Sequence, residues 1–454
     1  MPREMTVLFL TLFLSFRPVV AESEIPLVDM NIVGDEEPKD FQKYRKILVS
    51  PTVNTPEPFE GFGGFCGWPK VCRLQNGDLY VVFSAGFWHA SWPAPFDKHG
   101  QPAEYAEKLY KELPWLKDWN CPSGGRRMWI RSSDNGKTWT RPKMISIVPG
   151  AYSIGDIMQR RDGVMFAASI IQTAYGYRGR MPATPVEFAQ RQLKRWSIRS
   201  DWTAVLRSDD NGETWREVSR FEGPLQFMAS PQTLLETSDG SLLMLTEGVP
   251  WSSTLKSGNL WPDSKWVSIL LRSDDDGVTW TGVSIIGDND HHIEEGSLEY
   301  LADGSMGFAS RTSSAWFQSW DEGKTWSEPR RLHSGEGKLM KKGDHLRLAN
   351  GVNVILTCGG GVRGQVLYTR DSGKTWIKPT TEHGFRCDPL AYYPDGCVLD
   401  DGSILVVGDH QGFKNEYGPY GAEVTAIRFR IKTPEEGEGV ELLPIGGEPV
   451  GSSR

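Results

Sequence analysis

The chain has 454 residues, more than one ordinary compact core of about 100–200 residues holds unless the architecture is large or repetitive. With 39% hydrophobic and 24% charged residues, its composition is that of a globular protein and excludes a disordered or collagen-like chain. Lys and Arg total 50 against 58 Asp and Glu, a formal charge of -8, so no basic surplus exists to neutralise phosphates and no nucleic-acid partner is expected.

Arg3 leads into an apolar run from Met5 to Phe16, followed by Arg17-Pro18-Val19-Val20-Ala21. The run is too short to span a bilayer, and Val19-x-Ala21 is a small-residue cleavage pattern. Residues 1–21 therefore read as a secretory signal peptide, which predicts a secreted or periplasmic/extracellular protein with no integral membrane span. Six cysteines (Cys66, Cys72, Cys121, Cys358, Cys387, Cys397) fit an exported protein in which some pair, yet are too few for a disulfide framework. No CxxC or Cys/His spacing points to zinc.

The unusual component is 18 Trp, and an internal repeat accounts for part of it. Five times the chain carries Ser/Thr-x-Asp-x-Gly-x-Thr-Trp, at 132–139, 208–215, 273–280, 319–326 and 369–376. The Asp accepts hydrogen bonds from amides of its own loop, Gly supplies a positive φ, and Trp folds back over the hairpin. Asp274-Asp275-Asp276-Gly277 resembles the acidic start of a calcium loop, but no bidentate Glu follows where one is required.

Interleaved with these stand six Asx-Gly pairs between apolar runs: Asn76-Gly77, Asp162-Gly163, Asp239-Gly240, Asp303-Gly304, Asn350-Gly351 and Asp401-Gly402. They are strong hairpin signals. The alternation predicts strand, Asx-Gly turn, strand, connection, strand, Trp turn, strand, six times over. The expected fold is all-β: a six-bladed β-propeller of four-stranded antiparallel blades over residues 45–430. Arg45–Val49 is expected to supply the sixth blade's outer strand, and 431–454, rich in Glu, Gly and Pro, reads as an exposed C-terminal extension. The turns then share one face, and the long connections near 86–126, 171–198 and 248–265 share the other, where a ligand site is expected. Six of the Trp (Trp68, Trp88, Trp92, Trp115, Trp119, Trp129) fall in the first blade or its insertion and read either as an aromatic wall for sugar rings or as packing.

The five Trp turns resemble the Asp-boxes (BNR repeats) of the sialidase, or neuraminidase, superfamily, a resemblance that covers about residues 45–430. Asp-boxes also occur in non-catalytic propellers, so they indicate fold. The resemblance carries a nucleophilic Tyr onto Tyr393, nine residues before Gly402, its paired Glu onto Glu295, nine before Gly304, and an anion-binding Arg onto Arg311, seven after Gly304. Arg363 is the candidate for a further clamp Arg. Where the family has Arg-Ile-Pro this chain has Gly67-Trp68-Pro69. That Arg is missing, which bears on carboxylate recognition. Arg126, Arg127 and Arg45 are cations available to reach the same space. Asp118, sixteen residues before Asp134, stands near the family's acid/base position, with Asp97 and His89 of the same loop as rivals. Substrate-binding candidates are thus Arg311, Arg363, Arg127, Trp68, Trp88 and His89.

The resemblance implies an exo-acting glycosidase that releases a terminal acidic sugar, a sialic acid or a relative, by a retaining mechanism with Tyr393 as nucleophile and Glu295 as its base. Two alternatives stay open: a propeller enzyme acting on another acidic glycan of the uronic-acid type, and a non-catalytic glycan-binding propeller. No cofactor and no metal is expected, because Asp288, Asp290, His291, His292 and Glu294 match no ligand spacing and read as a charged solvent loop.

Overall fold

The computed structural model of the chain describes residues 25–33, 44–57, 62, 64–86, 126–146, 151–171, 202–221, 225–226, 232–250, 266–287, 293–311, 314–332, 340–359, 365–379, 393–415 and 418–446. Among them the fold is all-β, with a single three-residue 3-10 turn at Pro434–Glu436. Two short strands come first, β1 (Asp29–Ile32) and β2 (Lys46–Val49). Unit 1 is β3 (Phe65–Arg73), β4 (Leu79–Gly86), β5 (Arg126–Ser132) and β6 (Lys143–Ser146); unit 2 is β7 (Ala151–Gln159), β8 (Met165–Ile171), β9 (Trp202–Ser208) and β10 (Arg216–Phe221). Unit 3 holds β11 (Leu225–Gln226), β12 (Thr233–Glu236), β13 (Leu242–Pro250), β14 (Val267–Ser273) and β15 (Thr281–Ile286). Unit 4 is β16 (Ser297–Tyr300), β17 (Met306–Ala309), β18 (Ala315–Ser319) and β19 (Arg330–Arg331); unit 5 is β20 (Met340–Arg347), β21 (Asn353–Gly359), β22 (Gln365–Thr369) and β23 (Thr375–Lys378). Unit 6 is β24 (Asp395–Val398), β25 (Ile404–Asn415), β26 (Gly418–Ile431) and β27 (Val440–Leu443).

Within each unit the strands pair antiparallel in chain order, except that in unit 3 both β11 and β12 pair with β13, and two kinds of turn join them. At the Asx-Gly turns the glycine N–H donates to the carbonyl three residues earlier at 2.8–3.1 Å, as Gly77 does to Leu74. Only the glycine has positive φ, 75–91° across the six. This is a type I turn closed by a left-handed glycine, not a two-residue primed turn. The five Trp turns instead place two successive residues in the left-handed region, such as Asn135 and Gly136. In each, the Ser or Thr hydroxyl donates to the Asp at 2.7–2.9 Å. The same Asp accepts the later Thr hydroxyl at 2.5–2.7 Å and the Thr amide at 2.8–2.9 Å.

The units pack side by side through apolar clusters, each shared by two neighbours. Four of the turn tryptophans pack against such a cluster, Trp139, Trp215, Trp280 and Trp326, and the fifth, Trp376, lies within one. Each thereby fastens its unit to the preceding one. Innermost strands lie next to each other in the order β3, β7, β12, β16, β20, β24 and back to β3. None of the hydrogen-bonded sheets closes on itself; apart from the parallel β26–β3 bridge at Ala422 and Phe65, which joins units 6 and 1, the ring is made by packing. Side chains seven residues before the Asx-Gly glycines stitch it further. Asp156 accepts the Leu234 amide at 2.5 Å, Thr233 accepts Leu298 at 3.3 Å, Asp344 accepts Gly396 at 2.9 Å and Asp395 accepts Val71 at 2.8 Å. In unit 1 that position is Lys70, whose ammonium donates to Asp395 at 2.6 Å. This cation offsets part of the charge of carboxylates in a place from which water is excluded.

The outer strand of unit 6 is β2, paired antiparallel with Val424–Ala426 as Arg45–Val49 was expected to be. Beyond it β27 pairs with Arg428–Ile431 of the same strand, and Val440 and Leu442 are buried. This stretch is structural, which corrects the expectation of an exposed extension; residues 447–454 lie outside the described set. Unit 5 gains an unexpected fifth strand, β1, parallel to β23. Cys66, Cys72 and Cys397 are buried free thiols, so the expected pairing does not involve them; Cys121 and Cys387 lie outside the described residues. The signal-peptide reading of 1–21 and most of the long connections also lie outside them. Among the described residues no helix is long and apolar enough to cross a membrane.

Candidate functional site

At the strand ends opposite the Asx-Gly turns, Ser314 (φ 52°) takes left-handed backbone just before β18, and so do three residues at the starts of innermost strands: Trp68 (φ 49°), Glu295 (φ 43°) and Tyr393 (φ 43°). Each of these three stands nine residues before its unit's Asx-Gly glycine, Gly77, Gly304 or Gly402. Positive φ is uncommon outside glycine and unfavourable for bulky side chains, so surrounding structure has to impose it. At Glu295 the imposing group is Glu247 of β13, a carboxylate that is 2% exposed and accepts the Glu295 amide. At Trp68 it is Asp409 of β25, fully buried, whose Oδ2 accepts the Trp68 amide at 2.8 Å. Glu247, Asp409 and Arg311 all stand seven residues after an Asx-Gly glycine. In both captures the carboxylate belongs to the preceding unit.

The structure brings three of the expected residues together. The Tyr393 hydroxyl lies 3.4 Å from Glu295 Oε1 and donates to it, while the Arg311 guanidinium pairs with Oε2 of the same carboxylate. The Arg311 amide donates to the Glu294 carbonyl at 3.0 Å, which ties the end of β17 to the start of β16. Gly296 follows Glu295 because any Cβ there would lie 2.2 Å from the Phe308 ring. Burial disfavours the Arg311 cation, but Glu295, Tyr393 and Glu294 outweigh it and hold the guanidinium firmly protonated. Side-chain exposures of 27% for Arg311 and 21% for Glu295 leave the pair within reach of solvent. Chemically this is a phenol facing a proton acceptor, with a fixed positive charge beside them.

Trp68 is half-buried, and its ring lies 4.8 Å from that of Phe65 at 51°. A Cβ on Gly67 would come within 2.7 Å of the Phe65 ring and 2.8 Å of Asp409 Oδ2, so the position where the resemblance lacks its Arg is filled. Burial pushes Asp409 up to about 7, against the Trp68 amide and the Gln411 side chain that favour its ionised form. Arg127 is 1% exposed in β5; burial lowers it to about 10, and its charged neighbours are Glu217 and Arg220. Trp129 is equally enclosed, stacked on Tyr80 at 5.0 Å and 22°, which settles it as packing. Asp118, Asp97, Arg363, Trp88 and His89 lie outside the described residues.

Two contributors, Glu247 and Asp409, were not anticipated. Their signal was the offset of seven already used for Arg311, which picks out a charged residue in three units.

No protein-family model matches the chain. It is 25% identical over 222 residues to a protein described as "Sialidase" from Paraclostridium sordellii, covering 45% of this chain and 50% of that protein. The chain thus matches about half the length of this curated relative. Among solved structures it is similar to a protein of unknown function from Dyadobacter fermentans, at 17% identity over 85% of this chain and all of that one, with a TM-score of 0.55. The NanB sialidase of Streptococcus pneumoniae gives 13% identity over 84% and 70% of the two chains, with a TM-score of 0.49. The similarity to the Dyadobacter fermentans structure is one of fold.

Proposed function

We propose that the protein is an exported, sialidase-like glycosidase built on a six-bladed propeller, which cleaves a terminal acidic sugar from glycans with retention. The observation that carries this reading is the Tyr393 hydroxyl 3.4 Å from a Glu295 carboxylate that also pairs with Arg311. A phenol with a reference pKa of about 10 is a poor nucleophile at neutral pH unless a base takes its proton as it attacks. In the proposed step a bond forms from Tyr393 Oη to the anomeric carbon, the phenolic proton passes to Glu295, and the glycosidic C–O bond breaks. The leaving oxygen takes a proton from an acid in the first-unit insertion, for which Asp118 is the candidate and Asp97 the rival. Water then cleaves the tyrosyl–sugar bond and the proton flow reverses. A neutral phenol attacks beside a substrate carboxylate without the repulsion a carboxylate nucleophile would meet, and Arg311 supplies the charge that holds the anion.

One observation favours the neighbouring reading of a different acidic sugar, of the uronic-acid type. The corner at Gly67 is filled by Phe65 and Asp409, which leaves no room there for the second clamp cation of a sialic-acid site. A panel of 4-nitrophenyl glycosides of sialic, uronic and neutral sugars decides between them. Tyr393→Phe is expected to lower kcat at least about a thousandfold on the productive member, with an unchanged melting temperature. Release that survives Tyr393→Phe sinks the mechanism, and no turnover on any glycoside leaves a glycan-binding propeller.

A further inference from the structure

Among the described residues, units 1, 4 and 6 share a construction. In each, the residue nine before the Asx-Gly glycine is held left-handed, and in two of them a buried carboxylate of the preceding unit captures its amide. Two products of this construction, Glu295 and Tyr393, form the hydrogen-bonded pair. The third is Trp68, and β3, which carries it, lies directly beside β24, which Tyr393 precedes. The β24–β25 pairing ends at Asp395 and Val407, two residues short of Tyr393 on one strand and of Asp409 on the other. Continuing that register sets Asp409 opposite Tyr393, and the same Asp409 holds the Trp68 amide.

We propose that Trp68 is the specificity-determining residue of this site: its indole receives an uncharged C–H face of the sugar, and Asp409 is the positioning residue that fixes it. This rests on the glycosidase reading and adds a substrate class to it. The preferred glycoside keeps its anionic group on the Arg311 side and meets unit 1 with an apolar ring face. Sugar rings offer such faces, and a rigid indole takes them with little entropy loss. Gly67 cannot carry a cation here without displacing the Phe65 ring or the Asp409 carboxyl, which removes the alternative of a charged contact from that residue. Asp409 Oδ2 is committed to the Trp68 amide at 2.8 Å and the Gln411 side chain at 2.6 Å, so the carboxyl acts behind the indole and does not touch the ligand.

The test uses the full chain and whichever 4-nitrophenyl glycoside it hydrolyses. Trp68→Ala is expected to lower kcat/KM about tenfold, mostly through KM, and Trp68→Phe to stay within about twofold of wild type. Asp409→Ala is expected to reproduce the KM rise with kcat within about twofold, and Asp409→Asn, which keeps an acceptor for the amide, to restore it. An unchanged KM in Trp68→Ala overturns the proposal while leaving the glycosidase reading intact. If no glycoside is hydrolysed, that reading fails by itself, and fluorescence titration with free glucuronic acid and with free sialic acid reads the corner directly. Quenching in wild type that disappears in Trp68→Phe supports the proposal, and identical or absent quenching in both proteins overturns it.

Discussion

Carboxylates capture backbone amides at both ends of the strands, yet they do so in opposite electrostatic settings. At the turn end Asp321 accepts from the Thr325 hydroxyl and amide and from Ser319, in contact with solvent, and these bonds hold it down to about 2. At the other end Asp409 captures the Trp68 amide in full burial, which pushes it up to about 7. The turn carboxylates serve their own loop; Glu247 and Asp409 serve the next unit. Left-handed backbone differs in the same sense. The turns put it on Asn, Asp, Ser and Glu followed by a left-handed glycine, whereas the site end puts it on Trp68, Glu295 and Tyr393, as well as on Ser314. Local chemistry repeated in five copies builds the scaffold, and tertiary capture used sparingly fixes the Trp68 and Glu295 backbones where the chain would not place them unaided.

Removing a capture at the site end is expected to have the largest effect on activity. Glu247→Ala releases the Glu295 amide, and kcat/KM on the productive glycoside should fall about a hundredfold, with Glu247→Gln recovering most of it. Equal activity in the two variants would break the contrast, because Glu247 would then be mere packing.

The protonation contrast is tested by pH. The folded state holds a proton on Asp409 up to about pH 7, whereas the unfolded chain loses it near 3.9. Stability from this group is therefore complete below about pH 4, falls between about pH 4 and 7, and stays low above that. Asp409→Asn removes the fall. Its melting temperature should gain on wild type by about 2–5 °C between pH 4 and pH 8. A constant difference between the two proteins across that range would show that Asp409 does not change its proton on unfolding. Burial also raises Asp156 to about 6 and Glu299 to about 7, so the variant keeps a smaller residual slope of the same sign.

The smallest effect belongs to a single turn. Asp275→Ala deletes the acceptor for Ser273 and for both groups of Thr279. It should destabilise by about 1–3 kcal/mol in urea while leaving kcat unchanged. A change in kcat would mean that the two ends are coupled.

These contrasts also explain what could be read in advance. Ser, Asp, Gly, Thr and Trp are each needed for a stated reason within eight consecutive residues, so the turns announce themselves. Glu295, Tyr393 and Arg311 were reachable because a strand of fixed length leads from each Asx-Gly glycine to the site, which turns an offset into a position. Glu247 and Asp409 lie at a matching offset, but a carboxylate near a strand end looks the same whether it faces water or a neighbour's amide. Arg127 shows the same ambiguity, since its strand position is compatible with either face, and the structure buries it. Strand β1 gave no warning: four residues, Asp29–Ile32, pair in parallel with β23, far along the chain, and no local periodicity encodes that partner.

The edge of unit 6 carries a consequence for how the molecule is made. Strand β26 is paired over Val424–Ala426 by Lys46–Val49 and over Arg428–Ile431 by Val440–Leu443, and β1 likewise reaches forward to unit 5. During synthesis β1 and β2 have no partner until β23 and β26, more than 300 residues further along, have been made. The pairings that latch the ring span most of the chain, which predicts slow, late closure and an interval in which β2 and the β26 edge are open to pairing with another copy. Chains released before β27 would then be the species most prone to associate.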